Sequence, residues 1–320
     1  MKYPQRKNFL IFRDSVRTWL MNVLITGSNG LLGQHLIPLF LKDSRYNVIA
    51  TGRGPNRIPQ RDNYIYEPSN LRTPGAAASL IEKYKPEIII HAAAMTQVDE
   101  CEKNKDACWD MNVGVTRYLV QAAEKTKAFF LFISTDFIFD GLSGPYSEEA
   151  LPNPINYYGT SKVAAERIVQ NSSLPWAIAR TVLVYGIVAD AQRSNMITWV
   201  KNNLQQNKKI KVVDDQLRTP TLCQDLALGC KLIVDKKATG IFNISGNETL
   251  TPYDMALKTA NYFNLDASLI EKISSRSLAQ PAARPAKTGL ITEKAEKELG
   301  YNPRTFAEGL EIVAEELKGK

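Results

Sequence analysis

A tyrosine and a lysine stand four residues apart in the segment Tyr158-Gly-Thr-Ser-Lys162. In a helix, residues i and i+4 share one face, so the lysine ammonium is expected near the phenol, where it favours the ionised form. A phenol activated in this way is a candidate proton donor for the reduction of a carbonyl group. Taken alone the pattern is weak, because tyrosine and lysine are common on helix surfaces. Its meaning depends on the elements around it.

A turn with three regularly spaced glycines, Gly27, Gly30 and Gly33, lies upstream. It follows residues 21–26, whose apolar and β-branched side chains predict a buried parallel strand, and it leads into residues 31–40, which predict a helix. The first glycine permits the turn, the second lets the backbone approach a pyrophosphate, and the third lets helix and strand pack closely. The pattern therefore predicts a phosphate cradle. The alternative is that the glycines only shape a strand-to-helix corner.

Strands and helices alternate beyond this first unit. Further strands are predicted at residues 46–51, 87–92, 129–134 and 176–180. This alternation predicts an α/β fold with a doubly wound parallel Rossmann sheet, which binds ligands at the carboxyl ends of its strands. After Gly186 the pattern changes to helices around residues 195–206 and 252–264, with proline-bearing segments between them. We expect a smaller C-terminal substrate domain there.

The composition is that of an ordinary globular enzyme, with 320 residues, 44% hydrophobic, 23% charged and a net charge of +7. No apolar run approaches the roughly 20 residues that span a bilayer, so no membrane association is predicted. Lysine and arginine are scattered, which fits an anionic cofactor and substrate better than nucleic acid. Cys101, Cys108, Cys223 and Cys230 form no C-x-x-C pattern and there are only two histidines. We therefore expect no metal site and a reducing, cytoplasmic compartment.

The end of the second predicted strand bears on the choice of cofactor. Folds selective for NAD usually have an acidic residue there for the ribose hydroxyls, whereas this chain has Arg53, with Arg57 four residues later. A guanidinium pairs well with a 2′-phosphate, which predicts NADPH as the preferred cofactor and NADH as the alternative. The competing interpretation is a solvated surface arginine.

The chain resembles the extended short-chain dehydrogenase/reductases through an ordered set of motifs. Besides the glycine turn, they are His91-Ala-Ala-Ala94, Asn112, Ser134-Thr-Asp-Phe-Ile-Phe-Asp-Gly141, Tyr158-x-x-x-Lys162 and Arg180-Thr-x-x-Val-Tyr-Gly186. Within that group it is most similar to the dTDP-4-dehydrorhamnose reductases, over about residues 21–316. Two positions depart from the pattern: Leu31-Leu32 is typical of sugar-nucleotide epimerases, and Phe137 replaces a frequent tyrosine.

The resemblance implies NADPH-dependent reduction of a nucleotide-linked 4-keto-6-deoxy sugar. The leading substrate is dTDP-4-dehydro-β-L-rhamnose, which would give dTDP-L-rhamnose. A sugar-nucleotide epimerase or dehydratase with recycled NAD is a second hypothesis, and a non-catalytic, cofactor-binding regulatory subunit is a third. The retained Thr135, Tyr158 and Lys162 argue against the third, because cofactor binding alone needs no proton donor. The expected partner is a nucleotide sugar, and a homodimer is left open.

The resemblance also implies roles for individual residues. Thr135 would hydrogen-bond the substrate carbonyl, Tyr158 would deliver the proton, Lys162 would hold the nicotinamide ribose, and Asn112 would orient the lysine and a relay water. Besides Tyr158 and Lys162, the implied cofactor-binding residues are Gly27, Asn29, Gly30, Leu31, Gly33, Arg53, Asn70, Leu71, His91, Ala92 and Ala93. Besides Thr135, the implied substrate-binding residues are Val98, Asp99, Asn195, Arg218 and Arg284. The two arginines suit a diphosphate, and the alternative is that they bridge domains or lie on the surface.

Three segments are predicted along the chain. They are an N-terminal extension over residues 1–20, an NADP(H)-binding Rossmann domain over 21–186 and a mainly substrate-binding domain over 187–320. Segments near residues 213–246 are expected to return to the Rossmann domain. The extension contains no secretory apolar core of adequate length, and a basic mitochondrial presequence is the alternative to a dispensable leader.

A chain that starts at Met21 is expected to keep its activity and to melt within a few degrees of the full chain. The reason is that residues 1–20 lie outside the alternation of strands and helices. Thermal melts and size-exclusion chromatography of both chains measure this. Aggregation or loss of a defined oligomer would instead show that an apolar face docks as a helix on the fold or on a second subunit. That face would consist of Phe9, Leu10, Ile11, Phe12, Val16, Trp19 and Leu20.

Overall fold

The computed structural model describes residues 20–59, 62–189 and 195–318. Leu20, which is exposed, is the one residue of the predicted N-terminal extension inside these ranges. The predictions for residues 1–19 therefore lie outside the described residues.

The described residues contain eleven strands and eleven α-helices. In chain order the strands are β1 (Met21–Thr26), β2 (Tyr46–Gly52), β3 (Ile65–Pro68), β4 (Ile88–His91), β5 (Phe129–Thr135), β6 (Trp176–Thr181), β7 (Val184–Tyr185), β8 (Ile210–Val213), β9 (Thr221–Leu222), β10 (Gly240–Asn243) and β11 (Ile270–Ile273). The helices are α1 (Leu31–Leu41), α2 (Ala76–Tyr84), α3 (Val98–Lys103), α4 (Lys105–Trp109), α5 (Val115–Glu124), α6 (Tyr157–Gln170), α7 (Met196–Gln205), α8 (Cys223–Lys236), α9 (Pro252–Tyr262), α10 (Glu293–Leu299) and α11 (Phe306–Lys318). A π-helical turn, Asp110–Gly114, joins α4 to α5.

Seven parallel strands form the central sheet, in the order β10-β6-β5-β4-β1-β2-β3. The chain builds outward from β1 to β3 and then returns to build outward again from β4 to β10. This order confirms the predicted α/β fold with a doubly wound parallel Rossmann sheet. The winding direction reverses between β1 and β4, which is where sheets of this kind bind their ligands.

Helices cover both faces of the sheet, because successive side chains of a strand point to opposite faces. Val23 and Ile25 of β1 pack into an apolar cluster with α1, α8 and α10. Leu24, between them, packs into a second cluster with α2, α5 and α6. Strands that are buried on both faces read as continuous apolar runs, which is why β1, β4 and β5 were predictable from sequence.

Part of the chain after β7 forms two smaller apolar clusters of its own. Helices α7, α9 and α11 pack with the two-stranded parallel sheet of β8 and β11 around two further apolar clusters. Helix α8 and strand β10 return to the central sheet, where α8 packs on α1 and β10 pairs with β6. We retain the division into an NADP(H)-binding domain and a substrate-binding domain as a proposal.

Candidate active site

A cavity of about 590 Å³ opens at the carboxyl ends of β1, β4, β5 and β6. It joins residues that the sequence assigned to three different roles. Of the predicted cofactor-binding residues, the cavity lining contains Gly27, Gly30, Leu31, Gly33 and Ala92. It also contains the predicted catalytic residues Thr135, Tyr158 and Lys162, and the predicted substrate-binding residues Val98, Arg218 and Arg284. The cavity therefore lies where a doubly wound sheet binds its ligand.

The glycine turn has no space for larger side chains at Gly27 and Gly33. Gly27 has φ +72°, and a Cβ on it would lie 2.7 Å from the Ala93 amide nitrogen. A Cβ on Gly33 would lie 2.5 Å from the Ser28 Cα. Gly30 is the N-cap of α1 and has no side chain to cap it, so the helix N-terminus faces the cavity unobstructed. This is the geometry of an anion-binding turn.

Asn29 does not line the cavity. Its side-chain amide donates to the carbonyl oxygens of Arg53 at 3.2 Å and Pro55 at 3.1 Å, and its Oδ1 accepts from the Arg57 amide at 3.0 Å. Asn29 thus fixes the loop after β2. The Arg53 side chain on that loop is exposed and makes no hydrogen bond or ion pair with any described residue.

Asn70 and Leu71 lie at the turn after β3, outside the cavity lining. Leu71 is buried in the apolar layer under α2 and α5, whereas Asn70 is exposed and its Oδ1 accepts from the Arg72 amide. Ala93 adjoins the glycine turn, and its amide donates to the Thr26 hydroxyl at 3.3 Å.

His91 is a neutral core residue. Thr116 donates its hydroxyl proton to the Asn112 carbonyl at 2.7 Å, so it accepts from His91 Nε2 at 3.0 Å. His91 Nδ1 then accepts from the Thr26 hydroxyl at 2.8 Å. Burial, assisted by the charge of Lys162, lowers the pKa of His91 to about 3. The imidazole holds β1 and β4 against α5 and does not exchange protons near neutral pH.

Tyr158 is buried in the cavity wall beside Thr135 and Asp136. Burial raises the pKa of the phenol above its usual range, a hydrogen bond with Thr135 opposes this rise, and the Asp136 carboxyl adds to it. Thr135 donates to Asp136 Oδ1 at 3.1 Å and accepts from the Phe137 amide at 3.2 Å. The phenol therefore keeps a proton that it could give to a ligand in the cavity.

Lys162 also lines the cavity, but its ammonium donates to the Ile133 carbonyl at 2.7 Å and lies 4.0 Å from the centroid of the Phe132 ring. A buried ammonium needs an acceptor, and this carbonyl supplies one instead of the Tyr158 phenol. Burial lowers the pKa of Lys162 to about 7, with Glu166 acting in the opposite direction. The direct contact with the phenol that the i, i+4 spacing predicts is absent from this structure.

Asn112 lies in the π-helical turn and is fully engaged. Its Oδ1 accepts from the Met95 amide at 2.8 Å, while its Nδ2 donates to the Met95 carbonyl at 3.1 Å and to the Ser161 hydroxyl at 2.9 Å. Ser161 in turn donates to the Tyr158 carbonyl at 2.7 Å. Asn112 therefore positions the helix that carries Tyr158, and it makes no hydrogen bond to Lys162.

Two residues of the expected substrate set bind each other. Arg284 donates to Asp99 Oδ1 at 2.6 Å and to Oδ2 at 2.7 Å, which joins the start of α3 to the loop before α10. The Arg284 guanidinium lowers the pKa of Asp99. Arg284 lines the cavity, whereas Asp99 does not.

Arg218 and Asn195 are also held by the protein. Arg218 is buried, and its guanidinium donates to the carbonyl oxygens of Leu217, Pro285 and Ala286. Asn195 caps α7, accepting from the amides of Ile197 at 2.9 Å and Thr198 at 3.2 Å. Asn195 lies outside the cavity lining, whereas Arg218 contributes to it.

Sequence reasoning passed over Asp136, a buried carboxyl in the cavity wall. Burial raises its pKa, the charge of Arg218 opposes that rise, and Thr288 and Thr135 donate hydrogen bonds to it. Asp136 is the third residue of the Ser134-Thr-Asp136 motif, whose first two residues supply the predicted hydroxyl groups. Within the described ranges, no three histidine, cysteine or acidic side chains cluster as metal ligands would, and no helix has the length and apolarity to cross a membrane.

The family model of the RmlD substrate binding domain matches residues 21–318. The chain belongs to this family. The resemblance to dTDP-4-dehydrorhamnose reductases is thereby confirmed.

Two curated relatives of this RmlD family member differ in kind. One is the methionine adenosyltransferase 2 subunit beta of Rattus norvegicus, 34% identical over 288 residues, which are 88% of this chain and 84% of that protein. The other is the probable low-salt glycan biosynthesis reductase of Haloferax volcanii, 29% identical over 91% of this chain and 96% of that protein. The relatives therefore include both a probable reductase and a subunit of a transferase.

Solved structures of dTDP-4-dehydrorhamnose reductases superpose on nearly the whole chain. The Bacillus anthracis protein, in complex with NADP, has 26% identity and a TM-score of 0.79, and covers 93% of this chain and 99% of its own. The Clostridium acetobutylicum protein has 27% identity and a TM-score of 0.80, and covers 93% of this chain and 100% of its own.

Proposed function

We propose that this protein is an NADPH-dependent reductase of a nucleotide-linked 4-keto-6-deoxy sugar. The observation that carries the proposal is one cavity in which Tyr158, Thr135 and Lys162 lie beside the glycine turn. Family membership and the two reductase structures support the same reaction class. The sugar we favour is dTDP-4-dehydro-β-L-rhamnose, with dTDP-L-rhamnose as the product.

The residues around the cavity fit NADP(H). Side chains at Gly27 and Gly33 would collide with neighbouring backbone, and Gly30 keeps the N-terminus of α1 open, which leaves room for a pyrophosphate. Asn29 holds the loop that presents Arg53, whose guanidinium would pair with the 2′-phosphate. When bound, the cofactor supplies the hydride. NADH remains the alternative cofactor.

The side chains of the cavity supply proton transfer and charge stabilisation. Burial keeps Tyr158 protonated, so the phenol can donate to a developing alkoxide. Thr135 donates its hydroxyl proton to Asp136 in this structure, and it would donate to the same substrate oxygen after the hydroxyl rotates away from Asp136. Lys162 would change its acceptor from the Ile133 carbonyl to the nicotinamide ribose. Asn112 acts indirectly, because its side chain makes hydrogen bonds that hold Met95 and Ser161 in place.

The diphosphate of the substrate would be met at the cavity mouth. Arg284 offers a forked guanidinium there, at the cost of its contact with Asp99. Arg218 holds the backbone of residues 285–286 and contributes its charge. Val98 lines the wall nearby.

Replacing Arg53 with alanine is expected to weaken NADPH binding by about 1–3 kcal/mol and to leave NADH binding nearly unchanged, because only NADPH carries a charged partner for the guanidinium. Fluorescence titration with both cofactors measures this. Arg117→Ala, which removes another exposed arginine of the Rossmann sheet region, is the matched control. Equal losses for the two cofactors would make Arg53 structural and turn attention to Arg57.

A spectrophotometric screen of NADPH oxidation over several nucleotide-linked 4-keto sugars tests the proposed function. We expect stoichiometric oxidation with at least one sugar. Tightly retained NAD with no net oxidation would favour the epimerase or dehydratase hypothesis instead.

The rat relative favours a second candidate function, a cofactor-binding subunit of a methionine adenosyltransferase. In that case NADPH would bind without being oxidised by any 4-keto sugar, and the protein would co-elute with the catalytic subunit of such an enzyme. Size-exclusion chromatography of the mixed proteins, with and without NADPH, distinguishes the two candidates.

A further inference from the structure

A buried pair of cysteines lies directly behind the proton donor. Cys101 of α3 and Cys108 of α4 form one apolar cluster with Tyr158, and neither thiol is exposed. The two sulfurs flank one hydrogen bond, that from Asn112 Nδ2 to the Met95 carbonyl: Cys101 Sγ contacts the carbonyl and Cys108 Sγ contacts the amide. Val98, Phe137 and Tyr158 belong to this cluster and also line the cavity, so the cluster that contains the pair forms part of the cavity wall.

The pair is connected to the hydrogen bonds that hold α6 in place. Cys108 Sγ lies 3.4 Å from Asn112 Nδ2 and 3.5 Å from the Ser161 hydroxyl, which donates to the Tyr158 carbonyl. Cys101 Sγ lies 3.5 Å from the Met95 carbonyl, whose other partner is Asn112 Nδ2. A change in the bonding of either sulfur would therefore reach the backbone of Tyr158.

The two thiols differ in acidity. The neighbouring Cys101 thiol, helped by Ser161 and by the charge of Lys162, lowers the pKa of Cys108. The neighbouring Cys108 thiol and burial raise the pKa of Cys101. A pair with one acidic thiol and one protonated neighbour has the arrangement of an attacking and a resolving cysteine.

We propose that Cys101 and Cys108 form a reversible disulfide that switches the site off in the presence of a peroxide. The Cys108 sulfur attacks one peroxide oxygen and the O–O bond breaks, which leaves a sulfenic acid and one water. The Cys101 sulfur then attacks the Cys108 sulfur, the S–O bond breaks, and hydroxide departs with the Cys101 proton as a second water. Two thiols are oxidised, one peroxide is reduced, and a thiol reductant reverses the reaction.

The chain contains its own control pair. Cys223 and Cys230 are also seven residues apart, buried and free, but both belong to the continuous helix α8. Seven residues of helix separate them by about 10 Å along the axis, too far for a disulfide. Cys101 and Cys108 belong to two short helices, α3 and α4. The helical conformation is interrupted between them at Asn104, which has φ −121° and ψ 65°.

Peptide mapping of the full-length protein tests the proposal. The protein is exposed to hydrogen peroxide at neutral pH, then denatured in the presence of N-ethylmaleimide to block the remaining thiols. Trypsin cleaves after Lys103 and Lys105 and so separates the two cysteines. We expect a linked pair of peptides containing Cys101 and Cys108 that comes apart on reduction, while Cys223 and Cys230 stay alkylated. No linked pair, or a link that involves Cys223 or Cys230, would overturn the proposal.

A second readout tests the effect on the site. Peroxide should lower NADPH-dependent turnover by about 10–100-fold, because a small displacement of Tyr158 misaligns the proton donor, and dithiothreitol should restore it. The Cys101→Ser variant should lose this reversible response, and a Cys223→Ser, Cys230→Ser double variant should keep it. This readout rests on the proposed reductase function, whereas the linked peptides do not. A linked pair with unchanged turnover would overturn the switch.

Discussion

Replacing Tyr158 with phenylalanine is expected to lower turnover by about 10²–10⁴-fold, the range for the loss of a general acid. The ring would keep its place in the cluster with Cys101, Cys108 and Phe137, because the substitution removes only the hydroxyl. NADPH affinity should therefore change little. Steady-state kinetics and cofactor titration of the two proteins separate these effects.

Tyr157→Phe is the matched control for this substitution. Tyr157 precedes Tyr158 on the same helix and contacts Trp109 and Lys105, outside the cavity lining. It should keep the turnover of the parent. Activity close to that of the parent in Tyr158→Phe, or an equal loss in Tyr157→Phe, would remove Tyr158 from the mechanism.

Replacing Arg180 with methionine is expected to lower the free energy of unfolding by about 3–5 kcal/mol, the cost of leaving a buried charge without its partner. Arg180 of β6 donates to the two carboxylate oxygens of Glu166 at 3.1 and 2.8 Å, and each side chain is 2% exposed. Glu166 belongs to α6, two turns after Tyr158. The ion pair thus ties the catalytic helix to the sheet. Chemical denaturation measures the loss.

Two further variants show whether the lower free energy of unfolding comes from the buried, unpaired charge. Arg72→Met breaks an ion pair with Asp110 whose side chains are 40% and 61% exposed, and it should cost less than about 1 kcal/mol. Adding Glu166→Leu to Arg180→Met should recover part of the stability, because it removes the unpaired charge. If Arg180→Met costs no more than Arg72→Met, the buried pair does not stabilise the fold.

The central strands and the glycine turn were predictable because their causes are local. A strand that is buried on both faces is a continuous apolar run in the sequence. The positive φ of Gly27 disfavours any other residue type at that position, so the turn is marked by its own glycine. Strand β3 is partly exposed and has no such signature, so sequence reasoning missed it. The π-helical turn around Asn112 was missed because a helical hydrophobic pattern does not distinguish one extra residue in a turn.

Partners of polar side chains were less predictable, because distant segments decide them. Asp99 and Arg284 were each expected to meet the substrate, yet they are 185 residues apart in sequence and bind each other. Asn29 binds a loop more than 20 residues away. Lys162 has its acceptor on a neighbouring strand, at Ile133. In each case residue type indicated the capacity for a hydrogen bond, while the fold determined where it was made.

Transfer of deuterium from NADPH labelled at the reactive C4 position tests the proposed reductase most directly. The labelled cofactor is incubated with a nucleotide-linked 4-keto-6-deoxy sugar, and the sugar product is analysed by mass spectrometry and NMR. We expect one deuterium at C4 of the product for each NADPH oxidised, and label transfer that is about 10²–10⁴-fold slower when Tyr158→Phe replaces the parent protein. Recovery of unlabelled or unreduced sugar from every 4-keto substrate, with NADPH bound but not oxidised, would contradict the proposed function.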